Sequence, residues 1–433
     1  MDNTTIASLV LAGLLLLLLA GGFWIALSLL TVGMVLMGVF TTAPMGSLVA
    51  STLWDSSWGW ALTALPLFIW MGEILFRSNL SSNMFQGLAP WVNRLPGGLL
   101  HVNVLGCGVM AAVAGSSAVT CATIGRMSVP ELQRQKYPLN MIIGTLAGSG
   151  TLGLLIPPSI IMIVYGVTAE VSVAKLFIAG VIPGVLLMLM FSGYTALWSI
   201  AYADRMPPPG PAIPFREKLY HSRQLIPVAL LIVFILGSIY GGFATPTEAA
   251  AIGVLGALGL SAITHSLTRE TFVAGVMSAM RTSCMIGFIM ACAACLTIAV
   301  AFVDIPRTLA SWVDTFHLSS FTLLGVLAIL MLILGCFLEG ISIIVLTSSV
   351  VLPMVQAAGI DLLWFGIYMV ILIEAAQITP PVGFNLFVLQ SITGKDILTV
   401  TRATMPFFFV LMTLLILIVI FPQIVLIGPQ IMR

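Results

Sequence analysis

Charge is scarce in this chain. Lys, Arg, Asp and Glu together make up 7% of its 433 residues, and the net charge is +1. A soluble domain carries about 25% charged residues, so a fold facing water all round is excluded. No basic run stands out, which argues against nucleic acid as a partner. Side chains that hold metals are equally thin. The four histidines (His101, His221, His265, His317) have no ligand spacing. The six cysteines (Cys107, Cys121, Cys284, Cys292, Cys295, Cys336) all sit in apolar surroundings, and the CxxC pair Cys292–Cys295 reads as two small hydrophobic side chains. HExxH, GxSxG and a paired intramembrane Asp motif are all missing, so the chain lacks the common catalytic sets of a membrane-embedded enzyme and calls for no organic cofactor.

What fills the space is hydrophobic: 60% of the residues. Apolar stretches recur at 5–22, 23–40, 58–76, 174–201, 226–242, 270–303, 319–338 and 405–427. Crossing a hydrocarbon layer takes about 20 helical residues, so the chain reads as an all-α polytopic membrane protein. The first stretch is preceded only by Asp2, without a basic residue or a cleavage site. It reads as a retained helix, not a signal peptide.

Two proline pairs interrupt apolar segments, in GLLIPPSIIMIVYG (153–166) and EAAQITPPVGFNLFVLQS (374–391). Pro157 and Pro158 lie 223 positions before Pro380 and Pro381, and the same shift carries Pro130 onto Pro353 and Pro183 onto Pro406. Chance would supply about a quarter of one such match, so the chain reads as two copies of one unit. The expected division is 1–205, a connector at 206–225, and 226–433.

Basic residues orient the copies. With the N-terminus outside and five crossings per half, Arg77, Arg94, Arg126, Arg134 and Lys136 fall inside. So do Arg205, Arg216, Lys218 and Arg223 of the connector, and Arg269, Arg281, Lys395 and Arg402; only Lys175, Arg307 and Arg433 fall outside. The positive-inside rule favours this layout. Five is odd, so the second copy starts on the opposite side. The expected fold is therefore two inverted repeats, each of five transmembrane helices (one broken) plus a re-entrant hairpin. Inverted repeats with interrupted helices mark secondary transporters. A break exposes backbone N–H and C=O groups, which lipid penalises by several kcal/mol each and which suit anions and cations respectively.

The hairpins are expected at about 97–130, turning in AGSSAVTCATIG (114–125), and at about 319–353, turning near LEGIS (338–342) ahead of LTSS (346–349). Glu73, Glu339 and Glu374 are acids at apparent membrane depth, and Glu248 in PTE reads as a helix cap. Residues 80–93 put Met84, Phe85, Leu88, Trp91 and Val92 on one face, and 305–317 do the same with Leu309, Trp312, Val313 and Phe316. Both read as amphipathic arms in the membrane interface. The polar, proline-rich 203–224 reads as a stiff spacer.

GTLGLLIPPSIIMIVYG, KLFIAGVIPG (175–184), GGFATPTEAAAIGV (241–254) and ITPPVGFNLFVLQ (378–390) resemble, in this order and over essentially the whole chain, the large membrane subunit of the tripartite ATP-independent periplasmic (TRAP) transporters. The resemblance implies an elevator-type ion transporter fold, with 1–94 and 226–318 as scaffold with arms and 95–202 and 319–430 as transport core. It implies Na⁺-coupled uptake of an organic anion, usually a carboxylate, across a bacterial cytoplasmic (inner) membrane. The implied partners are a small four-helix membrane subunit and a periplasmic substrate-binding protein. Because the chain starts at the first large-subunit helix, the small subunit is expected as a separate polypeptide. Carried onto this sequence, the substrate and ion region falls on Ser116, Ser117, Gly148, Ser149, Gly150, Thr151, Pro157, Pro158 and Ser159 in the first copy. In the second it falls on Glu339, Gly340, Thr379, Pro380, Pro381, Gly383 and Asn385. Na⁺ ligands are expected among Ser116, Ser117, Gly150, Thr151, Gly340, Thr379 and Gly383, largely as backbone oxygens. The deep acids keep a proton open as an accompanying or alternative ion. A stand-alone sodium–dicarboxylate symporter of related fold, a channel and a membrane-embedded enzyme are the competing readings.

Overall fold

The structure is a computed structural model describing residues 3–78, 80–208, 210, 213–223, 225–306, 308, 319–380 and 383–431; for residue 61 and residues 80–83 it describes the backbone alone. Among the described residues every regular element is helical. The first half contains α1 (Asn3–Ala20), α2 (Ile25–Phe40), α3 (Met45–Ser57), α4 (Ala64–Phe76), α5 (Leu80–Val92), α6 (Leu100–Ala114), α7 (Ser117–Arg134), α8 (Leu139–Leu155), α9 (Ile160–Thr168) and α10 (Val173–Ala201). After α11 (Phe215–Ser222) in the connector come α12 (Ile226–Tyr240), α13 (Pro246–Ile263), α14 (Arg269–Phe302), α15 (Ser320–Gly335) and α16 (Gly340–Ala357). The chain ends in α17 (Leu362–Gln377), α18 (Phe384–Thr393), α19 (Ile397–Ile420) and α20 (Gln423–Ile431).

The starts of these helices follow local chemistry. Side-chain oxygens of Ser159, Ser172, Asp361 and Asp396 accept from the backbone N–H three residues on, capping α9, α10, α17 and α19. Thr245 and Glu248 form a reciprocal capping box at α13, the role expected for Glu248.

The element order repeats at the shift read from the prolines. Ser117–Arg134 moved by 223 gives 340–357, the bounds of α16. The same shift brings α8 onto α17, α9 onto α18, α10 onto α19, α1 onto α12 and α2 onto α13, each within a few residues. One pair differs in form. The 34-residue α14, about 51 Å long at 1.5 Å per residue, corresponds to α3 and α4, which are separated by Trp58–Gly59 and a short 3₁₀ turn, Trp60–Thr63. The expected span at 58–76 is accordingly a 13-residue helix, α4, too short to cross alone. Six described helices are long and apolar enough to cross, and α8 with α9 is apolar enough as a pair bent by 42° at the first break.

Packing is densest within two groups, which also touch where α14 meets α16 and α4 meets α6. Helix α14 lies along α2, and α4 along α13 and α14, while α8 is held by α6, α7, α10 and α19. Every residue of α8 from Met141 to Leu155 is buried, as is every residue of α17 from Leu363 to Gln377. These are the two helices that end at the proline breaks. A chain interruption at membrane depth is tolerable only where protein or water surrounds it, and α8 and α17 meet that condition by being central. The expected arm at 80–93 is α5, which buries Met84 and Val92 and packs on α6 and α11. Its counterpart residues Leu309, Trp312, Val313 and Phe316 lie outside the described residues.

Candidate functional site

A cavity of about 300 Å³ opens between α4 and α14 on one side and the two hairpin tips on the other. The first tip is narrower than the expected 114–125 turn. Only Gly115 and Ser116 turn, and Ser117 onward is already helix α7, because the β-branched and small residues there find an unobstructed hydrogen-bond ladder. Gly115 has φ +58, and a side-chain carbon there would lie 2.9 Å from the Pro158 carbonyl oxygen. Glycine is what lets this tip sit against the first break. The second tip, Cys336–Glu339, likewise sits against the second break, where the Cys336 thiol donates to the Pro380 carbonyl oxygen at 3.2 Å.

The two halves then cross over. Asn385, fully buried at the start of α18, donates through Nδ2 to Ser117 Oγ at 2.6 Å, so the helix after the second break is tied to the first hairpin. In the other direction α9, after the first break, packs on α16 of the second hairpin. Ser117, Ile160, Gly340 and Phe384 are the first residues of α7, α9, α16 and α18, and all four line the cavity. Four helix N-termini therefore converge on one space, each contributing a partial positive charge of roughly +0.5.

Two carboxylates face the same space. Glu339 ends the second tip with no capping hydrogen bond from its side chain. Glu73 on α4 accepts from Ser278 Oγ of α14 at 2.7 Å and pairs with Arg77 at 3.0 Å. No Lys or Arg lines the cavity among the described residues.

The residues expected from sequence divide accordingly. Ser116, Ser117, Glu339 and Gly340 line the cavity, and Asn385 braces Ser117 from behind. Pro157, Pro158 and Ser159 form the buried first break, with Ser159 capping α9. Thr379, Pro380 and Gly383 form the second, where Thr379 Oγ1 donates to the Ala375 carbonyl oxygen and the Gly383 N–H to that of Thr379. Pro381 lies outside the described residues. Gly148, Ser149, Gly150 and Thr151 are not part of an opened segment: they lie inside α8, whose ladder runs on to Leu155. The two glycines allow close packing there, since a Cβ would lie 2.8 Å from Phe407 at Gly148 and 2.8 Å from Cys121 at Gly150. Glu374 is fully buried beside the backbone of Leu155 and is not one of the residues lining the cavity. Sequence reasoning did not place Ile69, Phe76, Thr282 and Met285, which form the opposite wall. They sit in largely apolar helices and carry no motif of their own; Glu73, an acid at apparent membrane depth, was the residue on that wall that the sequence singled out.

Residues 12–424 match the family described as "Tripartite ATP-independent periplasmic transporter, DctM component". A C4-dicarboxylate TRAP transporter large permease protein, DctM of Pseudomonas aeruginosa, is 35% identical over 88% of this chain and 89% of its own. The 2,3-diketo-L-gulonate TRAP transporter large permease protein YiaN of Escherichia coli is 30% identical over 97% of this chain and 98% of its own. An isethionate TRAP transporter permease protein, DctMQ of Oleidesulfovibrio alaskensis, is 31% identical, and the chain spans 63% of it. Among solved structures, the Alcanivorax borkumensis YdaH transporter, described as having an unusual topology, superposes with a TM-score of 0.65 at 16% identity, over 94% of this chain and 97% of that one. This likeness is one of fold. The relatives are transporter permeases, and the apolar helices are those of a multi-pass inner-membrane protein. The chain belongs to the DctM family, the large permease component of the tripartite ATP-independent periplasmic transporters.

Proposed function

We propose that this permease takes up an organic anion, delivered by a periplasmic binding protein, on an inward Na⁺ gradient. The observation that carries the reading is the convergence of four helix N-termini on a cavity of about 300 Å³. Such ends favour a carboxylate or another small oxyanion. The carbonyl-bearing ends of the interrupted helices and the Glu339 carboxylate, in the same region, suit a hard cation with oxygen ligands. The relatives named for C4-dicarboxylates, 2,3-diketo-L-gulonate and isethionate all point to organic anions. In this reading 1–94 and 226–318 form the scaffold and 95–202 with 319–430 the moving core, in two inverted repeats. The closer packing of α2, α4, α13 and α14 on one another than on the helices around α8 supports that division. A small membrane subunit completes the system, either as its own chain or, as the name DctMQ implies for one relative, joined to the large one.

Uptake into proteoliposomes by the assembled system tests the reading. It should require an inward Na⁺ gradient and the soluble binding protein. Equal uptake with choline replacing Na⁺ on both sides would transfer coupling to protons, for which buried Glu374 is the residue to examine. Uptake without the binding protein would make the chain a stand-alone symporter.

A further inference from the structure

The connector was expected to be a stiff spacer, yet it forms helix α11 and grips the arm. Trp91 Nε1 of α5 donates to Ser222 Oγ at 2.6 Å, Ser222 donates to the Gly87 carbonyl oxygen at 3.1 Å, and the Phe215 ring meets Trp91 edge-on at 5.8 Å. Arm and connector are thus one unit. Its outward chemistry is distinctive. Between 203 and 225 stand Arg205, Arg216, Lys218 and Arg223 against Asp204 and Glu217, a surplus of two positive charges in a chain whose total is +1. Three of these cations lie over aromatic rings: Arg205 over Tyr202 at 5.1 Å, Lys218 over Trp91 at 5.7 Å and Arg223 over Tyr220 at 4.0 Å. Among the described residues none of Arg205, Arg216 and Arg223 is in an ion pair. A guanidinium laid on a ring keeps its N–H donors for a phosphate. Phe215, Leu219 and Tyr220 on the same helix are more than half exposed.

We propose that the connector is a docking surface for anionic phospholipid headgroups of the cytoplasmic leaflet, which hold α11, and through Trp91 the arm α5, at the membrane face. The charge complementarity selects the partner. Unpaired arginines beside exposed aromatic and aliphatic side chains match a layer that is anionic at the phosphates and apolar just beneath. A soluble polyanion would leave Phe215 and Leu219 unused. The placement at the cytoplasmic leaflet rests on the positive-inside layout above, but the docking chemistry can be tested without any transport assay. That separation matters, because failure here would leave the uptake reading untouched.

The full-length protein in nanodiscs of phosphatidylcholine should be cut by trypsin in the connector, and cutting should slow severalfold in nanodiscs containing phosphatidylglycerol. Free glycerol 3-phosphate should not protect. By native mass spectrometry the triple variant Arg205→Gln, Arg216→Gln, Arg223→Gln should retain less phosphatidylglycerol relative to phosphatidylcholine, by about fivefold for each cation removed. Lys218 and Trp91 are kept in this variant, so the arm contact survives. Equal cutting in both nanodiscs, or unchanged lipid preference in a monodisperse triple variant, would overturn the proposal. Protection by glycerol 3-phosphate alone would replace the lipid surface with a soluble-phosphate site and overturn it too.

Discussion

The hydrogen bond from Asn385 to Ser117 is short, buried and made between residues 268 apart. Removing one partner of such a bond leaves the other unsatisfied, at a cost of about 1–3 kcal/mol. Asn385→Ala should therefore lower the melting temperature in detergent and reduce uptake. The double variant with Ser117→Ala should cost less than the sum of the two single changes, which a double-mutant cycle measures directly. Glycines offer a sharper contrast. A Cβ at Gly153 would stand 2.6 Å from the Ser116 carbonyl oxygen, whereas one at Gly193 would meet nothing within 4 Å. Gly153→Ala should destabilise by about 1–3 kcal/mol, the usual result of overpacking, and should displace the first hairpin tip. Gly193→Ala, in an open part of α10, should be neutral or slightly stabilising by helix propensity. Equal melting temperatures for the two variants would remove the packing role assigned to Gly153.

Among the elements, the first break is the one whose purpose is most open to test. Alanine is about 3 kcal/mol better than proline inside a helix, so Pro157-Pro158→Ala-Ala should let α8 run toward α9. The protein should remain monodisperse and at least as stable. Uptake should collapse, because the N-terminus of α9 would no longer present free N–H groups at the cavity. Near-normal uptake with normal Na⁺ dependence would reduce the prolines to a kink. The cap at Glu248 was readable because caps are local; Asp361 and Asp396 cap α17 and α19 by the same chemistry. The extent of α8 was not. A run such as Gly-Ser-Gly-Thr favours irregular backbone when taken alone, but burial against Phe407 and Cys121 keeps it helical, since every backbone polar group there must be satisfied within the helix.

For the whole molecule, the distribution of basic residues predicts both termini outside and the connector inside. In a Cys284→Ser background, which removes the exposed native thiol, Asn3→Cys should react with an impermeant maleimide added to intact spheroplasts and Arg216→Cys should not. The opposite pattern would reverse the orientation, and labelling of both sites would break the odd number of crossings on which inversion depends.

Class and repeat followed from the sequence because each is written in composition or periodicity. Sparse charge identifies the solvent, and four prolines at one shift of 223 identify the duplication that the bounds of α7 and α16 match. The small-residue tips and proline pairs lie where dipoles and carbonyls must be satisfied by something other than lipid. Tertiary structure decided the rest. Which helix forms the wall facing the tips, how Ser117 reaches Asn385, and what packs against Gly148 and Gly150 all depend on contacts between segments far apart in the chain. In chains so uniformly apolar, periodicity marks where helices lie but carries almost no information about which faces meet. That choice is made by close packing around α8 and α17, and by the few polar atoms that must find partners there.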